Sequence, residues 1–214
     1  MGKGIIKLLT TLKDEVLDII YPPKNSCIIC ESEFIGICPL CKSKIQKIKE
    51  NEEILSYGYY NGVLKKLILE FKYNKNFVSG SILAVFLCEI IRNNNMDIDF
   101  IVFIPSSKKA LKDRGFNQCE YLAKELKKNL NINICKDIIK NKNIKEQKFL
   151  SKEERLKNIK GAFSLKTDKN IKNKKLLLID DVMTTGATLY ECESLLKKSG
   201  AASIKMLTVA KSYI

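Results

Sequence analysis

Apolar residues along this chain keep two periods, and the alternation between them outlines a fold. Over residues 4–20, Ile5, Leu8, Leu9, Leu12, Val16 and Ile19 recur at spacings of three and four, which lines one face of a helix. Pro22 and Pro23 end it. Segment 54–60, ILSYGYY, is rich in strand formers, and helical spacing returns over 62–72 and 79–94. DFIVFIP (99–105) is a continuous apolar run of the kind that makes a strand buried on both faces. Residues 117–130 predict a helix with Leu122, Ala123 and Leu126 inward, ICKDII (134–139) a strand, and GAFSL (161–165) a short strand. The charged stretch 141–160 between them has no continuous apolar stripe. LLLID (176–180) predicts a central strand, 187–199 a helix capped by Gly200, and SIKMLTVA (203–210) a last strand. Strands that alternate with helices predict an α/β fold, a mostly parallel sheet flanked by helices.

Composition narrows the class. At 214 residues and 45% hydrophobic, the chain is long and apolar enough to bury a sizeable core. No apolar run approaches the roughly 18–20 residues that span a bilayer. The N-terminal segment resembles a signal peptide in its apolar content, but Asp14, Glu15 and Asp18 interrupt it and no small-residue cleavage site follows. It reads instead as an amphipathic helix of a cytoplasmic protein. The chain has no histidine, which excludes Ser-His-Asp and Cys-His hydrolases and limits metal ligands to Cys, Asp and Glu.

The net charge of +14 is not spread evenly. Residues 104–175 carry 21 basic and 8 acidic side chains, against 13 and 12 over 1–103 and four of each over 176–214. A basic middle third suits polyphosphate, single-stranded nucleic acid or both. Tyr57, Tyr59, Tyr60, Phe71 and Tyr73 offer rings on which bases could stack, but such rings more often pack onto a core.

Four of the eight cysteines form CIICESEFIGICPLC, which spaces Cys27, Cys30, Cys38 and Cys41 as two CxxC pairs. Each pair makes a knuckle that aims two thiolates at one point, and two knuckles make a tetrahedral cage for structural Zn²⁺. A redox pair or two disulfides compete with that reading. A redox CxxC occurs once, before a helix, and a disulfide framework belongs to a secreted chain. Cys88, Cys119, Cys135 and Cys192 sit in apolar-periodic segments and are expected in the core.

In LLLIDDVMTTGATL (176–189), a buried strand runs into two carboxylates and then a turn rich in Thr and Gly. In a parallel α/β sheet, ligands bind where strands end and helices begin. Thr184, Thr185, Gly186, Ala187 and Thr188 offer hydroxyls and amides at a helix start, an anion site by geometry. Glu191 and Glu193 near that start, with Lys197 and Lys198 at the far end, fit the helix dipole. Asp180 and Asp181 repel phosphate and suit a neutral group with donors, such as the 2′ and 3′ hydroxyls of a ribose 5-phosphate. No GxxxxGK[ST] and no GxGxxG occurs.

This stretch closely resembles the phosphoribosyl-pyrophosphate (PRPP) signature of type I phosphoribosyltransferases, and the chain as a whole resembles the ComF family, competence-associated members of that superfamily with an N-terminal zinc finger. IPSSKKALKDRGFNQ (104–118) and EQKFLSKEERLKNIKGAF (146–163) are similar to that family's middle motifs. The resemblance implies three regions: an amphipathic helix over 1–23, a zinc knuckle over 24–50 and a phosphoribosyltransferase-like domain over 51–214. It also implies that Asp180 and Asp181 hold the ribose hydroxyls and 184–188 the 5′-phosphate. Ser106, Ser107, Lys108 and Lys109 would form the pyrophosphate loop, supported by Arg114 and Gln118. Gln147 and Arg155 would belong to a mobile segment over 140–158 that closes on PRPP and Mg²⁺.

Where the family usually has a second proline this chain has Phe103, and Lys142 and Ile144 replace its Arg and Thr. Lysine keeps the charge but not the bidentate fork. The function implied is Mg²⁺-dependent transfer or cleavage at the PRPP anomeric carbon, in a protein of DNA uptake with competence proteins or single-stranded DNA as partners. A non-catalytic DNA-binding protein is the alternative. A nucleobase salvage enzyme is disfavoured, because such enzymes lack the paired knuckles.

Overall fold

The structure is a computed structural model that describes residues 25–48, 53–140, 159–169 and 171–213. The expected N-terminal helix and the lid residues Gln147 and Arg155 lie outside the described residues. The chain divides into two compact units, Met1–Ser43 and Lys44–Ile214. The first contains α1 (Pro39–Ser43). The second begins with β1 (Ile54–Tyr59), α2 (Gly62–Tyr73), α3 (Phe77–Asn93), β2 (Phe100–Phe103), α4 (Lys108–Arg114) and α5 (Gln118–Leu130). It continues with β3 (Asn133–Cys135), β4 (Ile138–Lys140), β5 (Phe163–Leu165), β6 (Lys175–Met183), α6 (Ala187–Lys198) and β7 (Ser203–Lys211).

Five strands form a wholly parallel sheet in the order β1-β7-β6-β2-β3. The apolar run Leu176–Ile179 places β6 at its centre, with those four side chains at most 1% exposed. Helix α6 covers one part of the core with Leu189, Cys192 and Leu196 against Leu176 and Leu178. Elsewhere α2, α3 and α5 meet around the rings of Phe71, Phe77 and Tyr121, with centroids 5.1 to 6.4 Å apart. Gly80 of α3 permits that approach, because a Cβ there would lie 2.6 Å from Phe71 Cε2.

Three elements differ from the sequence pattern. The stretch 134–139 is two strands, not one. Ile134 and Cys135 pair with β2, while β4 turns away to pair antiparallel with β5 in a separate two-stranded sheet. Helix α4 was not expected, because it buries none of its residues and so has no apolar stripe. Ser107 caps it by accepting from the Ala110 amide at 3.1 Å, and Gly115 ends it at φ +83°. Finally, β6 does not stop at Asp180 but runs on to Met183 beside β7. Among the described residues, no helix is long and apolar enough to cross a membrane.

Candidate functional site

The site is made by strands that stop at different points. Strand β2 accompanies β6 only as far as Phe103 opposite Ile179, with one further bond from the Ile104 amide to the Ile179 carbonyl at 3.1 Å. Beyond it, Asp180 to Met183 keep β7 on one side and lose β2 on the other. Asp180 and Asp181 therefore lie within the last part of the central strand, at the carboxyl edge of the sheet.

The loop after Met183 enters α6 through Gly186 at φ +74°, a left-handed conformation that glycine adopts without strain. A Cβ there would also meet Tyr190 Cε2 at 2.9 Å. No side chain caps α6 in the usual way; Thr185 Oγ1 accepts weakly from the Ala187 amide at 3.4 Å. Thr184 is exposed, Thr185 and Thr188 are half-buried, and Gly186 and Ala187 are buried. The first turn of α6 thus presents amides and hydroxyls next to the two carboxylates, at the positive end of a helix. Glu191 and Glu193 fall in its second turn, not its first: Glu191 accepts from the Gly161 amide at 2.7 Å, and Glu193 pairs with Lys197.

On the neighbouring strand, Ser106 and Ser107 follow β2, and Lys108 and Lys109 are exposed in the first turn of α4. Asn117 steadies this loop from below, donating to the Ile104 carbonyl at 3.2 Å while capping α5 through Cys119 and Glu120. Arg114 donates to Gln118 Oε1 at 3.1 Å and lies 5.5 Å from the centre of the Tyr73 ring. Tyr57 and Phe71 are in the core, whereas Tyr73 is 62% exposed.

Two residues that sequence reasoning left out complete the centre. Lys72, in the last turn of α2, pairs with Asp181 Oδ2 at 2.7 Å, both side chains largely buried. Cys119, a core cysteine as expected, also donates its thiol to Asp180 Oδ1 at 3.3 Å. Burial, and then the charge of Asp181, push Asp180 up to about 7, although the Asp181 amide at 2.8 Å, Cys119 and Lys72 act the other way. Burial works against the Lys72 charge, but Asp181 and Asp180 more than offset it and raise its pKa. Burial and the two aspartates hold Cys119 well above its ordinary value. It is a protonated donor, and with a thiol in place of a third oxygen this cluster makes no cage for Mg²⁺, which demands oxygen ligands in octahedral array. Basic residues in a last helical turn ordinarily serve the dipole, so nothing in the spacing marks Lys72.

In the first unit the four knuckle sulfurs lie within 4.8 Å of one another. Cys30 and Cys38 are 3.7 Å apart, too far for a bond, and all four are free thiols. The amides of Cys38 and Cys41 point at the sulfurs of Cys27 and Cys38, each at 3.4 Å, as they do around metal-bound thiolates. Burial and the neighbouring thiols push Cys41 up to about 12, so four thiolates together need a cation to balance them. The cluster could hold a metal such as zinc.

Residues 113–212 match the phosphoribosyl transferase domain family. Competence protein F of Haemophilus influenzae is 30% identical over 193 residues, covering 87% of this chain and 84% of that protein. Competence protein ComFC of Bacillus subtilis is 27% identical over 248 aligned positions, covering 99% and 98%. DNA utilization protein YhgH of Escherichia coli is 27% identical over 178, covering 80% and 78%.

Proposed function

The chain belongs to the ComF family of phosphoribosyltransferase-like competence proteins, and on that premise we propose that it binds PRPP and acts on its anomeric carbon in the service of DNA uptake. One observation carries the proposal. Two carboxylates lie in the last part of a central strand, six and seven positions before a helix start whose capping glycine offers no side-chain acceptor. A ligand that fits both must have hydroxyl donors at one end and an anion at the other, which a ribose phosphate has.

Asp180 and Asp181 accept the 2′ and 3′ hydroxyls, and the amides and hydroxyls of 184–188 hold the 5′-phosphate. The amides of Ser106 and Ser107, with Lys108 and Lys109, hold the pyrophosphate and stabilise the negative charge it gains on leaving. The same two carboxylates oppose the positive charge that develops on the sugar ring. Gln147 and Arg155 belong to a segment that excludes water from that cation. Mg²⁺, brought with PRPP, would supply partial neutralisation of the leaving group's charge. The four cysteines of the first unit hold structural zinc.

The test is Mg²⁺-dependent thermal stabilisation by PRPP, with pyrophosphate release followed in the presence and absence of single-stranded DNA. Replacing Asp180 and Asp181 together by alanine should abolish the stabilisation. A double variant that keeps it would remove the ribose assignment, and a wild type that binds PRPP without releasing pyrophosphate would reduce the protein to a PRPP-binding one.

The clustered charge over 104–175, 21 basic against 8 acidic residues, favours a second reading in which this part of the chain also holds single-stranded DNA.

A further inference from the structure

Lys72 is the one partner outside β6 and α5 that reaches the carboxylate pair in the ion pairs and hydrogen bonds of the described residues. It stands at the end of α2, a helix that enters from β1 at the far side of the sheet, and its ammonium group lies 2.7 Å from Asp181 Oδ2. The two side chains are only 13% and 15% exposed. Around them stand Asp180 on the same strand, Cys119 on α5 and Tyr60 just after β1.

A buried lysine pairing with a carboxylate is seldom worth much for stability, because desolvating both charges offsets their attraction. Such a pair is better explained where one partner has another task. If Asp181 accepts a ribose hydroxyl, it needs a fixed orientation, and it needs to remain an anion beside a second carboxylate. A lysine on one of its oxygens supplies both, and leaves further lone-pair directions of the carboxylate for hydroxyl donors. Resting on the PRPP reading above, we propose that Lys72 is a positioning residue of the ribose-binding pair: it orients Asp181 and balances the charge of the two aspartates, acting on ligand through Asp181 and not by contact.

A residue that acts through another leaves a signature in a double-mutant cycle. In the full-length protein, PRPP affinity with Mg²⁺ is measured for the wild type, Lys72→Met, Asp181→Asn and the combination. Each single substitution should weaken binding about 10- to 100-fold, by loss of one charge-assisted interaction. The combination should be no weaker than the worse single variant, within a factor of about three, and Lys72→Arg should recover most of the loss. Lys72→Met strands Asp181 without its cation and can unfold the domain. The cycle is then run with Lys72→Gln, which keeps a hydrogen-bond donor and lacks the charge.

Losses that multiply across the cycle, or a Lys72→Arg variant no better than Lys72→Met, would overturn the proposal and leave a purely structural ion pair. A wild type that does not bind PRPP overturns the PRPP reading and this inference with it, a result distinct from binding with multiplicative losses.

Discussion

The Cys119 thiol donates to Asp180 Oδ1 at 3.3 Å, tying the first turn of α5 to the end of the central strand. Asp180 thus receives a weak neutral donor on one side and its own neighbour's charge on the other, in a site that solvent reaches poorly. Its pKa of about 7 against an ordinary 3.8 follows from burial first and from Asp181 second. The folded chain therefore holds this proton more tightly than the unfolded chain does. Stability falls as pH rises from about 4 to about 7 and stays lower above that. Asp180→Asn removes the dependence. The variant should gain on the order of 2–4 kcal/mol over the wild type at pH 8 and little at pH 4, read from denaturation at both pH values. It should also lose PRPP binding, since stability and function conflict at such a site.

Removing the donor itself has the opposite sign for the acid. Cys119→Ala takes away an interaction that favours the Asp180 anion, so Asp180 should titrate at higher pH, by the ~1 kcal/mol of one hydrogen bond. Cys119→Ser restores a stronger donor and should return the midpoint to the wild-type value or below. Infrared difference spectra of the carboxyl band across pH, taken without ligand, read this directly. An unchanged midpoint in Cys119→Ala would show that the thiol does not act on Asp180.

Gly186 is required twice over, once for its φ of +74° and once because a Cβ would press on Tyr190 at 2.9 Å and Ile54 at 3.2 Å. Gly186→Ala should cost about 1–3 kcal/mol by thermal or chemical unfolding, from left-handed backbone strain together with the crowding. Because the same bend places the amides of 187 and 188, PRPP affinity should fall more than stability alone predicts.

The residues of the site differ in how openly the sequence announces them. Gly186 and Asp180 sit in a contiguous signature, where a buried apolar run and a bend rich in Thr and Gly are both local signals. A mostly parallel sheet was likewise expected, because LLLID and FIVFI carry their burial in their own composition. Lys72 and Cys119 reach the centre from helices 108 and 61 positions away from Asp180, and a period of 3.6 says only which helix face turns inward. Helix α4 escaped because a fully solvated helix has no stripe, and the split between β3 and β4 because a change of strand partner leaves no trace in apolar content.

Among the described residues, 25–43 of the first unit are held by α1, a helix of five residues, by a few turns and by the four sulfurs, too little apolar burial to stand without a metal. The purified protein should contain about one zinc per chain. Cys27→Ser, at a fully buried ligand position, should abolish it, and a strong chelator should remove it from the wild type. In both cases proteases should then cleave within residues 25–43 while Lys44–Ile214 persists. Full metal loss with no change in cleavage would make the zinc a passenger.

The nucleic-acid reading stands or falls on salt. Lysines that neutralise phosphates release condensed counterions, so the logarithm of the affinity falls linearly with that of salt, at about 0.7 per contact for a single strand. Lys142, Lys145 and Lys148 form a lysine cluster within the basic middle third. Reversing all three to glutamate should flatten the slope for a single-stranded oligonucleotide by about 2, and weaken binding most at low salt. Replacing Asp180 and Asp181 by alanine should leave that slope alone, because the proposal gives those carboxylates to the sugar and an anionic side chain neutralises no phosphate. Equal slopes in the wild type and the triple variant would mean that the lysines are solvated surface. The charge excess over 104–175 would then belong to PRPP handling alone.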